Sequence, residues 1–412
     1  MRGGNIEAVL PAREAAARFP DYEQFELPRH ALIPGLVNAH THSAMSLMRG
    51  LADDLPLMRW LEEHVWPAEA RHVSAEFVRD GTLLACAEML RGGITCFNDM
   101  YFFPEAALDA ALAAGMRSSH GIIVIEFASA YASDPADYLR KGLELRDRRS
   151  DEPLASFCFA PHAPYTVSDQ TFRKIGTLAA ELDLPVHIHL HETLDEIARS
   201  VAEHGVRPLE RLRRLGLLAP NLIAVHAVHL EPQEIELLAR HGCSVAHCVS
   251  SNLKLASGFA PIAALLKADV NVALGTDGAA SNNRLDMFQE MRTAALVAKA
   301  VARDAEAMPA HTALRCATLG GARALGLELR IGSIEAGKAA DLVAVKLGGL
   351  ELEPCYDVVS HLVYAAGREH VSHVWVDGRL GIRDGNFATN AFASLNSRVQ
   401  LWQNALGGLA GP

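Results

Sequence analysis

Eight short apolar runs alternate with longer amphipathic segments along most of the chain, and this alternation limits the possible folds more than any other feature. Segments between the runs, such as residues 74–92 and 231–242, have helical spacing and end in glycine, as helix C-termini often do. Strand and helix repeated eight times predict an α/β fold, a parallel (β/α)8 TIM barrel. An open doubly wound sheet is the rival, but no glycine-rich dinucleotide loop follows the first run. The eight runs are LIPGLVNAH, GITCFND, MRSSHGIIV, LASFCFA, LPVHIHLH, NLIAVHAV, CSVAHC and VNVALGT.

The end of the chain has a different pattern. Residues 332–347 and 371–385 show short alternating stretches joined by Gly and Asp-Gly turns, which predict a small β-sandwich domain built from both chain ends. We expect residues 1–31 and 346–412 to form this domain, and residues 32–345 to form the barrel. Few strand-forming residues precede residue 32.

Composition excludes several classes of protein. Half of the 412 residues are hydrophobic and about a fifth are charged, as in ordinary globular proteins. The formal charge of −11 includes no block of like charge, which argues against a nucleic-acid or anionic-membrane surface. Seven scattered cysteines without a CxxC pattern indicate reduced thiols. The sequence has no signal-peptide pattern and no apolar run long enough to span a membrane, so we expect a cytoplasmic protein. We also expect a homo-oligomer that binds neither membrane nor nucleic acid.

Histidines and acids cluster at the predicted strand ends, where a barrel of this kind places its active site. Side chains at positions i and i+2 of a strand point to the same side, so His40 and His42 are expected to face the barrel mouth together and to chelate one ion. The strand-end groups are His40 and His42 on the first strand, His187, His189, His191 and Glu192 on the fifth, His226 and His229 on the sixth, and Asp277 on the eighth.

One histidine from the fifth strand and Asp277 would complete a set of three nitrogen ligands and one oxygen ligand. Such a set suits Zn(II), with iron as the alternative. A lone HxH pattern is weak evidence, and Asp277 before Gly278 also fits a plain turn. The coincidence of four strand ends favours the metal site. The group Cys243, His247 and Cys248 is a second candidate, but its mixed facing on a buried strand favours packing.

Five motifs in this order resemble the amidohydrolase superfamily: PGLVNAHTH, APHAPY, HLHET, SSNLKL and LGTDGAASNN. They are most similar to its branch of 5′-methylthioadenosine/S-adenosylhomocysteine deaminases, relatives of guanine deaminase and the s-triazine hydrolases. The likeness extends from about Leu32 to Val345. The HxH pattern is shared across the superfamily, whereas TDGAASNN and MRGLADDLPLMRWL are more specific to this branch.

The resemblance selects one histidine of the fifth strand, because the family ligand lies three residues before a glutamate. It implies that His40, His42, His189 and Asp277 hold one zinc ion. A carboxylated lysine that bridges a second metal is not expected in this branch.

The resemblance also implies the catalytic roles. Asp277 takes the proton of the attacking water, and Glu192 carries protons to the ring nitrogen and then to the departing ammonia. His226, rather than His229, hydrogen-bonds the attacking oxygen and stabilises its developing charge. Taken without the resemblance, Glu192 also fits an acid at a helix start.

Substrate contacts follow from the same resemblance. Glu69 matches the family carboxylate that reads the ribose hydroxyls, His162 matches a substrate-contacting histidine, and Glu192 contacts the purine. Trp60 is expected to wall the pocket, although a tryptophan on an amphipathic helix is more often a core residue. His162 between two prolines also fits a turn residue.

The chain departs from the family pattern where an arginine often contacts the substrate. The Arg-Gly of the family after the third strand is replaced by His120-Gly121, and the loop of residues 128–137 contains no arginine. The next arginine is Arg140. We therefore expect a charged substrate tail to bind weakly. Family members usually have more strand-forming residues before HxH than this chain, so we expect either that Met1 is not the natural start or that the small domain is trimmed.

These observations predict a zinc-dependent aminohydrolase that converts an adenosine-type nucleoside to the inosine-type product plus ammonia, in purine or methylthioadenosine salvage. The expected substrates are 5′-methylthioadenosine and adenosine, with S-adenosylhomocysteine as a further candidate. The alternative is a deaminase or hydrolase of another aminated heterocycle, such as guanine, a pterin, cytosine or a triazine. A catalytically silent barrel used for assembly is a third hypothesis, and the intact ligand pattern argues against it.

Overall fold

The computed structural model describes residues 1–407 of the chain. This part contains thirteen strands arranged in two sheets. The strands are β1 (His30–Pro34), β2 (Leu36–Thr41), β3 (Ile94–Asp99), β4 (Arg117–Val124), β5 (Ala155–Pro161), β6 (Val186–Leu190), β7 (Leu222–His226), β8 (Ser244–His247), β9 (Asn271–Leu274), β10 (Leu342–Lys346), β11 (Val371–Val376), β12 (Arg379–Arg383) and β13 (Asn386–Phe387).

Helices cover the outside of the barrel and connect its strands. The α-helices are Ala12–Arg18, Leu57–Trp60, Trp66–His72, Ala75–Arg91, Pro104–Ala114, Pro135–Arg148, Asp169–Leu182, Leu194–His204, Pro208–Arg214, Pro232–Arg240, Val249–Lys254, Ile262–Lys267, Ala279–Asn282, Met287–Ala302, Ala310–Arg315, Gly321–Ala324, Val358–Tyr364 and Leu395–Leu406. Short 3-10 helices are Ser43–Met48, Leu350–Leu352 and Arg368–His370, and π-helical turns are Leu61–Val65 and Cys316–Gly320.

The larger sheet is the predicted barrel. Strands β2 to β9 pair in parallel in chain order. Each coincides with one of the eight apolar runs, and β2 and β5 extend one residue beyond theirs, to Thr41 and Pro161. The first and last strands meet through Asn38 of β2, whose amide donates to Thr276 Oγ1 at 2.7 Å and accepts from Thr276 N at 2.9 Å. The (β/α)8 prediction is confirmed, and the carboxyl ends of all eight strands open at one edge.

The smaller sheet confirms that both chain ends contribute to a second β unit. Its five strands are antiparallel, in the order β1-β10-β11-β12-β13. The expected boundaries at residues 32 and 345 fall inside β1 and β10, so the barrel strands begin only at Leu36. The regular structure of residues 1–29 consists of a helix at Ala12–Arg18 and two isolated bridges, from Arg2 to Asn5 and from Asn5 to Ala339.

Gly35 divides the first apolar run between the two sheets. Pro34 pairs with Leu342 in the small sheet, whereas Leu36 pairs with Ile94 in the barrel. A Cβ atom at Gly35 would lie 2.0 Å from the side-chain oxygen of Thr95, so the crossing point has room for glycine alone. The run was expected to be one strand because a continuous apolar stretch carries no sign of a change of sheet.

A buried ion pair fastens the small sheet to the barrel. Arg117, the first residue of β4, donates from Nε to Asp341 Oδ2 at 2.9 Å and from Nη2 to Asp377 Oδ1 at 3.2 Å. Arg117 and Asp341 are almost completely buried. Because Arg117 starts its strand, this contact lies at the barrel end remote from the carboxyl edge.

All seven cysteines lie in the described part, none is in a disulfide, and six are buried. Burial raises the pKa of the Cys96 and Cys158 thiols to about 12, so both are unreactive thiols near neutral pH. No helix within residues 1–407 has the length and apolar character needed to cross a bilayer.

Candidate active site

The predicted metal ligands meet at the carboxyl edge of the barrel. His40 lies in β2, His42 follows it, His189 lies in β6, and Asp277 follows β9. The Nε2 atoms of His40 and His189 are 3.2 Å apart. Asp277 Oδ1 lies 3.3 Å from Nε2 of His40 and 3.3 Å from Nε2 of His42. His42 is partly buried and the other three side chains are buried, so the donor atoms surround one shielded point.

Main-chain carbonyl groups orient two of these imidazoles. His42 Nδ1–H donates to Met100 O at 2.6 Å, and His189 Nδ1–H donates to His162 O at 2.8 Å. With the proton on Nδ1, the lone pair on each Nε2 is directed at the common point. This is the tautomer that a metal-binding histidine needs.

Another histidine orients His40. Its Nδ1 lies 3.0 Å from Nε2 of His187, which is fully buried and has no hydrogen-bond partner at Nδ1. Burial lowers the pKa of His40 to about 4 and holds the pKa of His187 well below its usual range, so both are neutral at pH 7. With Nε2 of His40 presented to a metal, its Nδ1–H donates to His187. This role of His187 was not predicted from the sequence. The signal was its i, i+2 spacing to His189, which places both side chains on the same face of β6, with His187 one layer deeper.

The spacing of the donor atoms fits a zinc ion. Four atoms at 2.0–2.1 Å from a tetrahedral Zn(II) stand about 3.3 Å from one another. Three of the six separations match this value: His40 to His189 at 3.2 Å, His40 to Asp277 at 3.3 Å and His42 to Asp277 at 3.3 Å. Three imidazoles and one carboxylate form a donor set that suits Zn(II) and also accommodates iron.

Hydroxyl groups hold the carboxylate of Asp277. Its Oδ2 accepts from Ser251 Oγ at 2.6 Å and from Ser281 Oγ at 2.9 Å, while Oδ1 accepts from Gly278 N at 2.8 Å. Burial alone would raise the pKa of Asp277, but the nearby imidazoles, His40 foremost, hold it well below its usual range. Asp277 is therefore ionised. The two serines lie in the SSNLKL and TDGAASNN motifs, which were the signal available in the sequence.

Glu192 and His226 form a pair beside the predicted metal site. Glu192 Oε2 lies 3.8 Å from His226 Nε2, and His226 Nδ1–H donates to Asn252 Oδ1 at 2.8 Å. Burial raises the pKa of Glu192. Burial opposes protonation of His226, but the carboxylates of Glu192 and Asp277 raise its pKa above the usual value. The pair therefore combines a weakly acidic carboxyl with a basic imidazole, as proton transfer near neutral pH requires.

The helix Leu194–His204 fixes the backbone at Glu192. Thr193 caps this helix by accepting from Glu196 N at 3.2 Å. The buried carboxylate of Glu196 accepts in return from His191 N at 2.9 Å and from Glu192 N at 2.8 Å. Glu192 thus lies directly before the helix, and its side chain lines the cavity.

The predicted substrate residues line the same cavity. Glu69 is partly buried, and its Oε1 accepts from the Tyr101 hydroxyl at 2.6 Å. Burial raises the pKa of Glu69 to about 7 in spite of this hydrogen bond. Trp60 is 7% exposed and borders the cavity, so it is both a core residue and a wall residue. His162 also borders the cavity, and burial lowers its pKa to about 3.

The prediction that His120 follows the third barrel strand is wrong. His120 is buried inside β4, and its Nε2 lies 2.8 Å from Ser118 Oγ. The strand continues for four residues beyond it, so the residues of this region that reach the cavity are Ile123, Ile125 and Phe127. An apolar wall thus stands where the family arginine was sought.

Arg140 does not replace that arginine either. It lies on the helix Pro135–Arg148, is 55% exposed, and donates to Asp137 at 2.6 Å and to Glu144 at 2.9 Å. Within the described part of the chain, no lysine or arginine lines the cavity.

The remaining histidine clusters have structural contacts. His229 Nε2–H donates to Ser257 O at 2.7 Å, away from the metal ligands. Cys243 Sγ donates to Ala219 O, consistent with packing of the Cys243, His247 and Cys248 group. Among residues 1–407, groups of three possible ligands occur only at the centre described above, as His40, His42 and His189 and as His40, His226 and Asp277.

Comparisons with known proteins agree with this geometry. The model of the amidohydrolase family matches residues 31–381. A 5-methylthioadenosine/S-adenosylhomocysteine deaminase of Saccharophagus degradans is 47% identical over 403 residues, which are 98% of this chain and 90% of the relative.

Two solved structures share the fold over most of both chains. An adenosine deaminase from Xanthomonas campestris with bound zinc has a TM-score of 0.95 and 52% identity, covering 98% of this chain and 92% of its own. An atrazine chlorohydrolase from Arthrobacter aurescens complexed with zinc has a TM-score of 0.85 and 25% identity, covering 91% and 88%. Because the family model matches most of this chain, residues 31–381, the chain belongs to the amidohydrolase family.

Proposed function

We propose that this protein is a zinc-dependent aminohydrolase that deaminates an adenosine-type nucleoside to the inosine-type product and ammonia. The observation that carries the proposal is the meeting of four ligands, His40, His42, His189 and Asp277, with Glu192 in one cavity. The names of the relatives, an adenosine deaminase among them, support the same reaction class.

Zn(II) held by the four ligands would lower the pKa of a water molecule toward neutrality. Water activated in this way is the nucleophile that hydrolytic deamination needs. Asp277, ionised and held by two serines, accepts the proton that this water loses. His226 donates a hydrogen bond to the attacking oxygen, and Asn252 fixes the direction of its ring.

Glu192 moves protons between water and substrate. A C–O bond forms at the ring carbon that bears the amino group, and the C–N bond to that group breaks. Of the two water protons, one remains on the neighbouring ring nitrogen and the other leaves with ammonia. The raised pKa of Glu192 suits both steps, because a carboxyl that is easily protonated can also return its proton.

Glu69 is the proposed ribose contact. Tyr101 occupies its Oε1, so Oε2 remains to accept from ribose hydroxyls. Cytosine and triazines have no such hydroxyls, and the atrazine hydrolase is also the more distant match at 25% identity. We therefore rank the other aminated heterocycles, guanine, pterins, cytosine and triazines, below adenosine-type nucleosides.

The preferred substrates are 5′-methylthioadenosine or adenosine rather than S-adenosylhomocysteine. The amino-acid tail of S-adenosylhomocysteine carries a carboxylate, which binds best to a bidentate arginine. No lysine or arginine of the described residues lines the cavity. One missing charged hydrogen bond corresponds to roughly one to two decades in specificity.

Ammonia release from a substrate panel tests the proposal. The zinc-loaded protein is assayed with adenosine, 5′-methylthioadenosine, S-adenosylhomocysteine, guanine, cytosine and an aminated triazine. We expect the highest kcat/KM for the first two and a value about 10- to 100-fold lower for S-adenosylhomocysteine. A preference for guanine or a triazine would reject the substrate class, and zinc content without any turnover would favour a silent scaffold.

A homo-oligomeric state and a cytoplasmic location remain predictions. Light scattering of the purified protein and fractionation of cells that express it test them.

A further inference from the structure

Large apolar side chains stand at the open end of the active-site cavity. Trp66 is 37% exposed and Phe127 is 53% exposed, and both line the cavity that ends at Glu192 and the metal ligands. Single exposed apolar residues are common on protein surfaces and need no explanation. These two border the same cavity as Leu57 and Leu61, so together the four side chains form an apolar mouth.

The position of this mouth follows from the chain. Trp66 lies three residues before Glu69 in the helix Trp66–His72, so the two side chains emerge on neighbouring parts of one helix face. Phe127 follows the carboxyl end of β4, beyond Ile123 and Ile125, which line the cavity more deeply. On its other side Glu69 is connected to the predicted ligands through Tyr101, whose hydroxyl donates to Glu69 at 2.6 Å and whose ring lies 6.4 Å from that of His42.

A nucleoside held at both inner points must send its 5′ group outward. The ring carbon that reacts lies at the metal, and the ribose hydroxyls lie at Glu69. The 5′ carbon is two bonds from the carbon that bears the 3′ hydroxyl, so a 5′ substituent leaves the ribose close to Glu69. Its path continues past Trp66 and Phe127.

The charges around this path disfavour an anionic substituent. The ionisable groups that line the cavity besides histidine are Glu69, Glu192, Asp277 and the Tyr101 and Tyr165 phenols. Arg199 lies behind the wall, with its guanidinium 6.0 Å from the Tyr165 ring, and it donates to Glu203 at 2.8 Å. A carboxylate in the mouth would therefore lose hydration without gaining a cation.

We propose that Trp66 and Phe127 form a subsite that selects uncharged alkyl-type 5′ substituents and accepts chains longer than methylthio. The inference rests on the proposed function and assigns the residues that set specificity at its outer end. Burial of a methylene group favours binding by a factor of about four, and partial exposure of the mouth lowers this to about two- to threefold.

A series of 5′-alkylthio-5′-deoxyadenosines tests the subsite. The methyl, ethyl, propyl and butyl compounds are compared with adenosine and with a propylthio compound that ends in a carboxylate. We expect kcat/KM relative to adenosine to rise about two- to threefold per methylene up to propyl, and to fall at least tenfold for the carboxylate.

Substitutions at the mouth identify the residues responsible. Phe127→Ala and Trp66→Ala should each remove most of the gain with chain length. Phe127→Arg should raise kcat/KM for the carboxylate compound above the wild-type value. Phe259→Ala is the matched control, because Phe259 is 59% exposed but lies outside the cavity, and it should keep the wild-type series.

The outcomes separate the two proposals. A flat series with normal turnover of adenosine, or equal turnover of the carboxylate compound, overturns the subsite and leaves the deaminase. A series in Phe127→Ala and Trp66→Ala that matches wild type overturns the assignment to these residues. Absence of turnover for adenosine and every analogue rejects the proposed function, and the subsite with it.

Discussion

At the scale of single residues, each donor atom of the centre has a second contact that fixes its direction. Carbonyl groups hold His42 and His189, two serines hold Asp277, and a buried histidine holds His40. Outer contacts of this kind set the tautomer and the aim of a metal ligand. The chemistry of this site therefore depends on residues that touch neither metal nor substrate.

Glu192→Gln tests proton transfer. Glutamine keeps the size and the main-chain contacts but cannot carry a proton, so kcat should fall about 100- to 10,000-fold while zinc content and product binding persist. Elemental analysis, calorimetry with inosine and ammonia release measure the three properties. Glu203→Gln, on the same helix and exposed, should behave as wild type. Loss of zinc from Glu192→Gln would show that Glu192 is a ligand.

His187→Phe tests the hydrogen bond to His40. The phenyl ring fills the space but cannot accept from Nδ1–H, so zinc affinity should fall about 10- to 100-fold. Competition with a chelator measures the affinity directly. His187→Gln offers an acceptor oxygen and should recover part of the loss. His247→Phe replaces a buried histidine whose Nδ1 has no hydrogen-bond partner. An equal loss of zinc affinity there would indicate a general packing effect instead.

At the scale of elements, the segment from Leu57 to His72 between β2 and the helix Ala75–Arg91 supplies Trp60, Trp66 and Glu69 to the cavity. Three consecutive helical pieces make up this segment, the middle one a π-helical turn at Leu61–Val65. It is an insertion at the carboxyl edge, where barrels vary their loops to set specificity.

The pH dependence of ligand binding tests Glu69. Because burial raises its pKa to about 7, the carboxylate dominates above pH 7 and takes up a proton as the pH falls. The protonated form loses an acceptor, so the Kd for inosine should rise by up to about tenfold between pH 8 and pH 6. Glu69→Gln should bind inosine weakly and lose this change. Hypoxanthine, which lacks ribose, reports the titration of Glu192 and His226 alone, so the rise should appear in the ratio of the Kd values for inosine and hypoxanthine in wild type. A flat wild-type profile for inosine contradicts this role.

Periodicity was sufficient to predict the eight barrel strands, because each one is a short apolar run between amphipathic helices. It was not sufficient at Gly35, where the division between the two sheets depends on the close approach of Thr95. The place of His120 was also wrong, because the depth of a residue in the barrel depends on where β4 ends. Strand ends alone were enough to propose His40, His42 and Asp277 as ligands, but the choice of His189 over its neighbours required the motif.

At the scale of the whole molecule, the two ends of the barrel have separate tasks. The carboxyl edge carries the ligands and the cavity, while the opposite end is joined to the five-stranded sheet through Arg117, Asp341 and Asp377. In barrels of this type the end opposite the carboxyl edge contributes to stability, whereas the carboxyl edge carries the chemistry.

Arg117→Met tests this separation. It leaves the buried carboxylate of Asp341 without its cation, which typically costs about 3–5 kcal/mol of unfolding free energy. The kcat of the folded protein should change little, because the substitution is remote from the cavity. Denaturant unfolding and steady-state kinetics measure the two effects. Arg140→Ala removes an exposed ion pair and should cost less than about 1 kcal/mol; equal costs for both variants would refute the structural role.

Zinc titration of the metal-free protein tests the central claim most directly. The metal is removed with a chelator, zinc is added back in known amounts, and ammonia release from adenosine is followed. With His40, His42, His189 and Asp277 as one site, activity should be absent at the start, rise in proportion to zinc, and level off at about one zinc per chain. Full activity in the stripped protein, or a plateau only at two zinc ions per chain, would contradict the account.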